Sequence, residues 1–255
     1  TGSKMYYADT AEMKKSVVEF DGSKHVPGMY ALLLPGQKFF EFLINNEEIH
    51  IETVGPNYAE NIKVVRSEEN RRFKDDSTYL NTQRKRQMDL SAQREKLTKD
   101  SPEFNAVTKE LENLNTTTVA YQKKFVADNK SFLVGQMIDL TIDIDIPEAP
   151  TTVKEEEKAY WRYAYYRDHY FDKFDFNNNG LVNTPIFGNR METFFSNKML
   201  VQHWDTILYY AYNVIDRMDP KSKAWEFTVQ YVTSTFGKSQ IMGMDKVYTM
   251  MADKY

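Results

Sequence analysis

The chain of 255 residues contains no cysteine. That absence excludes disulfides, thiolate nucleophiles and cysteine-ligated zinc, and it leaves both reducing and oxidising compartments open. Histidine is scarce: His25, His50, His169 and His203 are spread so that no His-x-x-x-His pair falls on one helix face. Asp168, His169 and Asp172 come nearest to a ligand cluster, but a solvated helix edge is the expected reading of them. Neither a metal site nor a cofactor is therefore expected. Neither sign of charge dominates, since 33 Lys and Arg stand against 37 Asp and Glu, so there is no electrostatic reason to expect nucleic acid or an anionic membrane as partner. No run approaches the ~18 apolar residues that span a bilayer, so no transmembrane segment is expected. The opening residues carry no charged, apolar leader, and the chain reads as soluble and as processed or trimmed from a longer product. Gly-x-Ser-x-Gly elbows and phosphate-cradling glycine loops are missing too. Carboxylates do sit in pairs, Asp143 with Asp145 and Asp216 with Asp219, but closeness in sequence is weak evidence of acid and base roles, and a carboxylate hydrolase ranks last.

What the chain has in abundance is aromatic: 17 Tyr, 16 Phe and 3 Trp, residues that favour cores and interfaces. From Ser16 to Val54 short extended runs alternate with turn signals at Asp21-Gly22, Pro35-Gly36 and Asn45-Asn46, the pattern of an antiparallel meander. In it Phe40, Phe42 and Ile44 share one face of a strand. After Ile62 the chain turns long, charged and helix-forming. Ser101-Pro102 offers an N-cap with Pro in the first turn, and Phe104, Val107, Leu111, Leu114, Thr118, Tyr121 and Phe125 repeat at 3,4 spacing. A weaker stripe through Phe73, Leu80, Leu90 and Leu97 predicts an antiparallel helical hairpin turning near Asp100. Ile138 to Ile146 alternates like a strand. Beyond Pro150 helices are expected near Lys154 to Phe171, Phe187 to Met199, His203 to Met218, Lys221 to Phe236 and Met244 to Tyr255, the fourth capped by Asp219-Pro220. The cleanest amphipathic stripe runs Trp204, Ile207, Leu208, Ala211, Val214, Ile215, Met218. The fold class is α+β: a sandwich-like antiparallel β-domain over 1–65, then an all-helical domain over 66–255 made of a hairpin (67–129) and a bundle (131–255).

Two segments invite a site. Asp175, Asn177, Asn179 and Gly180 match the first half of a calcium-binding EF-hand loop, but its twelfth position holds Ile186 where a bidentate Glu belongs, so a calcium-free, helix-ending turn is expected. Tyr160 to Phe176 is aromatic around the whole helix circumference, more than one buried stripe can absorb. Packing on two sides within the bundle is one reading, and a surface for a partner or ligand is the other.

The stretch from Tyr170 to Thr206, with Phe174-Asp175-Phe176, Thr184-Pro185-Ile186-Phe187, Phe194-Phe195 and His203, and the later run from Met242 to Tyr248, resemble a helical domain of unknown function. That domain precedes the thioredoxin-like domain in envelope thiol-disulfide oxidoreductases of certain Gram-negative bacteria. Asp9-Thr10, Pro27-Gly28-Met29-Tyr30 and Phe39 to Asn45 resemble the small β-domain in front of it. The resemblance implies that Met137 to Ile142 continues a helix from Ser131. It also implies a setting in the periplasm or cell envelope, with a lipid anchor on the full-length protein compatible with that setting. The family's first strand is missing before Thr1 and its Cys-x-x-Cys domain after Tyr255, so no catalytic residue carries over. The expected role is non-catalytic: positioning, dimerising or presenting substrate to a C-terminal thioredoxin-like domain, with a homodimer compatible. The candidate docking surface is Tyr163, Tyr166, His169, Tyr170, Thr184 and Pro185. The alternative is a free-standing envelope binding module whose aromatic face takes peptide or glycan.

Overall fold

The protein, described here over residues 6–255 of a computed structural model, is α+β, with nine α-helices and two small two-stranded sheets among the described residues. Its chain divides into two compact units, one of Tyr30–Ile142 and one of the residues up to Met29 with Asp143–Tyr255. These do not follow the division at residue 65 read from the sequence: the strands are tied to the hairpin and share its unit.

β1 (Gly28–Leu34), which enters the first unit at Tyr30, forms a hairpin with β2 (Lys38–Ile44). β3 (His50–Glu52) pairs antiparallel with β4 (Lys63–Arg66), Ile51 opposite Val64, with a bulge beside His50. The continuous meander and sandwich expected from the sequence are therefore replaced by two separate ladders. Two local causes account for this. Lys15 and Ser16 take left-handed backbone conformations, so Ser16 to Phe20 forms no strand and leaves only a bridge between Lys14 and Val17. Asn46 is left-handed as well, and the turn at 45–47 does not fold β3 back on β2. It swings the Glu47 carboxylate onto the start of the next helix instead, where it accepts hydrogen bonds from the Glu68 and Glu69 amides at 3.0 Å each and from the Ser67 hydroxyl.

That helix, α1 (Glu68–Glu95), is capped by Ser67 and bears Glu68 and Glu69 in its first turn, where the helix dipole favours negative charge. Asn70 clasps β2 through both ends of its amide, accepting from the Leu43 N–H at 2.7 Å and donating to the Leu43 carbonyl at 2.8 Å. The clasp explains why Leu43, on the face opposite Phe40, Phe42 and Ile44, is completely buried. After a left-handed Asp100, α2 (Pro102–Asp128) starts at the Ser101 cap with Pro in its first turn, as expected. The helices lie antiparallel, with Tyr79 stacked on Tyr121 at 3.7 Å, Glu110 paired with Arg86, and Arg94 over Phe104. The seam is only partly closed. Val107 is buried, while Phe104, Leu111, Leu114, Tyr121 and Phe125 are half-buried, because a two-helix hairpin leaves its flanks to water.

α3 (Leu133–Asp139) packs against both hairpin helices. The expected helix over 137–142 holds as far as Asp139, after which the chain turns, and 142–146 forms no ladder although its isoleucines stay half-buried. Phe132, the residue before α3, has no capping side chain, and Glu69 supplies the cap. Its carboxylate accepts the Val134 amide at 2.6 Å, the Leu133 amide at 3.2 Å and the Asn45 side-chain amide at 2.7 Å. Gly135 sits so close to the preceding turn that a Cβ there would stand 2.0 Å from the Asn129 carbonyl oxygen.

The second unit holds α4 (Lys158–Asp168), α5 (Asn179–Val182), α6 (Pro185–Phe194), α7 (Trp204–Ile215), α8 (Lys223–Gly237) and α9 (Asp245–Lys254). The α7 stripe read from the sequence is buried at Ile207, Leu208, Ala211, Val214 and Ile215. It meets α8 and α9. α8 is capped by Ser222, which accepts the Trp225 amide, while Asp219 only turns the chain just before. Phe187, fully buried, contacts the rings of Phe174, Phe176 and Phe227. Gly28 belongs to this unit too. Its backbone, at φ +153°, lies so near Asn183 that a Cβ would come within 2.4 Å of that side chain, and the Met29 amide bonds the Asn183 carbonyl at 3.0 Å. None of the described helices is long and apolar enough to cross a membrane.

Candidate functional site

α4 carries five aromatic residues in eleven positions, and none of its residues is buried. What holds such a helix in place is its C-terminal end. Arg190 from α6 donates to the Tyr170 carbonyl, and Arg217, just after α7, donates to the Phe171 carbonyl at 3.1 Å. Two guanidinium groups thus bond carbonyls of the turn that follows the helix. Below them Tyr170, Phe171, Phe174 and Phe176 enter the core. Tyr170 stacks on Phe194 at 5.6 Å beneath Arg190, whose guanidinium lies 4.2 Å from the ring centre. Burial pushes the Tyr170 hydroxyl up and the Arg190 guanidinium down from their ordinary values, and each partly offsets the other.

The exposed part of α4 divides into two flanks. On one, Tyr160, with 67% of its surface exposed, lies 6.2 Å from Tyr163. The Tyr163 hydroxyl donates to the Met199 carbonyl. Arg167, one turn later, lies over both the Tyr163 ring (5.4 Å) and the Tyr210 ring of α7 (5.0 Å) while its Nε bonds Asp168 at 2.9 Å. Burial lifts the Tyr210 hydroxyl above its usual range. On the other flank Trp161, Tyr165 and His169 form a column of rings spaced 5.4 and 4.1 Å apart, ending in a His169–Asp172 contact of 2.5 Å. Phenol hydroxyls, ring faces and carboxylates are thus presented to water, with the Arg167 guanidinium largely covered between the Tyr163 and Tyr210 rings. Such a surface can stack and hydrogen-bond.

Of the six residues expected to form a docking surface, the structure brings Tyr163, Tyr166 and His169 together as half-exposed groups on α4 and its C-cap. Pro185 is exposed at the first turn of α6. Tyr170 and Thr184 are corrections: both are buried, the first under Arg190 and the second donating its hydroxyl to the Leu181 carbonyl at 2.7 Å, so neither offers a surface. Arg167 and Tyr210 are the members that sequence reasoning missed, while Tyr160 belongs to the aromatic segment but not to the six. The spacing of Tyr163 and Arg167, four apart on one helix, was the available signal, whereas nothing in the sequence joins Tyr210 to them.

The Asp175 to Gly180 loop starts a helix and does not end one. Asn178 caps α5 by accepting the Gly180 and Leu181 amides, and Asp175 accepts the Asn177 amide at 2.9 Å. Among the described residues no three His, Asp or Glu converge as a metal site would require. No known protein family, curated protein or solved structure matches the chain.

Proposed function

We propose that this chain is the non-catalytic accessory region of a thiol-disulfide oxidoreductase of the periplasm or cell envelope, and that the α4 surface receives a C-terminal thioredoxin-like domain. The observation that carries the reading is a helix with five aromatic residues and no buried one, locked at its end by Arg190 and Arg217 and along one flank by the Tyr163–Met199 bond and Arg167. A surface of rigid, half-exposed rings beside fixed charges is what a docking site needs, since little side-chain entropy is lost on contact. The resemblance supplies the partner. Two segments that carry it, Pro27 to Met29 and the turn into Thr184-Pro185, lie against each other around Asn183, in keeping with a shared structural role.

The chain itself, having no cysteine, performs no thiol-disulfide exchange, because the attacking group must be a thiolate. The role left to it is positioning or presenting substrate, with dimerisation through the same region a further form of that role. The reading frame beyond Tyr255 tests this directly. It should encode a Cys-x-x-Cys pair within a thioredoxin-like domain, and the full-length protein should reduce a fluorogenic disulfide that this chain leaves untouched. A frame with no such pair, combined with retention of the chain on a glycan or peptide array that Tyr160→Ala abolishes, would establish the free-standing binding module in its place.

A further inference from the structure

Glu69 and Asp76 stand two turns apart on the buried side of α1, and each exposes only 2% of its surface. Their environments are opposite. Glu69 accepts three hydrogen bonds from donors aimed at it, whereas the Oδ1 of Asp76 has no hydrogen-bond partner at all. Asp76 occupies a seam position between Phe73 and Leu80, facing α2 where Tyr79 stacks on Tyr121. A carboxylate in such a place loses hydration with nothing to replace it.

The charged groups of the surrounding elements do not relieve it. On α1, a terminal nitrogen of Arg72 is held by Glu68 at 2.6 Å and its guanidinium lies over Phe132, while its Nε, one turn before Asp76, is buried and bonds neither Asp76 nor any other group. Asp75 adds a like charge nearby. On α2, Lys124 pairs with Asp128 at 2.7 Å, and Lys123, like Asp139 of α3, has a partner of its own. On β2, Lys38 reaches the Pro56 carbonyl. Tyr121 is pushed up to about 12, by burial first and then by the charges of Asp76, Tyr79 and Asp75.

We infer that Asp76 makes the α1–α2 hairpin a proton-sensitive latch, closed most tightly when this buried carboxyl is protonated. Burial alone lifts its pKa to about 6. An aspartate released into water by opening titrates near ~3.9. The closed hairpin therefore holds the proton more firmly than the open one. Its advantage is complete below ~3.9, falls as pH climbs toward about 6, and changes no further once both states are ionised. From these values the opening equilibrium rises about tenfold between pH ~5 and ~7.5.

Hydrogen–deuterium exchange of the whole chain at those two pH values, corrected for intrinsic rates, reads the effect on peptides covering 73–80 and 117–125. α7 serves as the internal reference. The wild-type hairpin should lose about tenfold in protection relative to α7 at the higher pH. Asp76→Asn should lose that slope and be at least as protected as wild type at pH ~7.5. Asp76→Ala, which asks no amide to be buried, should be equally flat and guards against an asparagine variant that fails to fold. A wild-type hairpin with no slope relative to α7, or either variant keeping the wild-type slope, overturns the inference.

Discussion

The unit containing α4–α9 closes its interior with rings and methionines: Phe171, Phe187, Met191, Phe194, Met244 and Met251 are all essentially inaccessible. In the hairpin unit the buried set includes Ser67, Glu69, Asn70, Asp76 and Asn129 beside a modest number of apolar side chains. The first is held by area removed from water and by ring packing. The second is held by directed hydrogen bonds that tie β2, α1 and α3 to one another through Glu47, Glu69 and Asn70. The difference teaches that anchoring follows composition: the charged α1 is fixed by directed hydrogen bonds, the apolar, ring-rich α7 and α8 by burial. It also implies different responses to mutation: gradual in a seam open to water, abrupt where one polar group serves several partners.

The largest expected effect lies in the aromatic interior. Phe187→Ala should cost about 4 kcal/mol, since a fully buried ring touching three others leaves a cavity the surrounding rings cannot fill. Denaturant titration would measure it, and a loss below ~1 kcal/mol would remove the contrast between the units. Glu69→Ala should cost about 3 kcal/mol by stranding two helix amides and the Asn45 side chain, while Glu69→Gln, which keeps an acceptor, should cost about half as much. Within the seam, Leu90→Ala should cost about 3 kcal/mol and Leu111→Ala about 1 kcal/mol, because the first side chain is buried and the second half-open. Equal costs would mean that the hairpin is covered in solution. The smallest effect, about 1 kcal/mol, is expected for Tyr163→Phe, which removes only the hydrogen bond to Met199.

Legibility followed the same contrast. The α7 stripe and the Ser101-Pro102 start of α2 were readable because apolar periodicity and capping act within one helix. The α1 stripe read as weak because Asp76, Gln83 and Arg94 occupy seam positions that a hydrophobic count scores as solvent. Glu69 as the cap of α3 was invisible, since donor and acceptor are 65 residues apart. The same holds for Glu47, which follows the Asn45-Asn46 turn and caps α1. On the candidate site, the excess of rings on α4 was legible as an excess. Which rings turn inward was not, because Arg190 and Tyr210 arrive from other helices and decide that Tyr170 is covered while Tyr160 is left open.

The docking of a thioredoxin-like domain proposed for the outer face of α4 has its most direct test in kinetics. Tyr160→Ala and Tyr166→Ala, placed together in the full-length protein, alter an exposed and a half-exposed ring and should keep the fold, lowering the unfolding free energy by about 1 kcal/mol because Tyr166 lies edge-on to Tyr170. Tyr170→Ala would not serve, because that ring is part of the core. The account predicts that kcat/KM for a protein disulfide substrate changes several-fold in the folded double variant, on the order of the 1–2 kcal/mol that exposed aromatic anchors contribute to a contact. Unchanged kinetics in the folded double variant would contradict it.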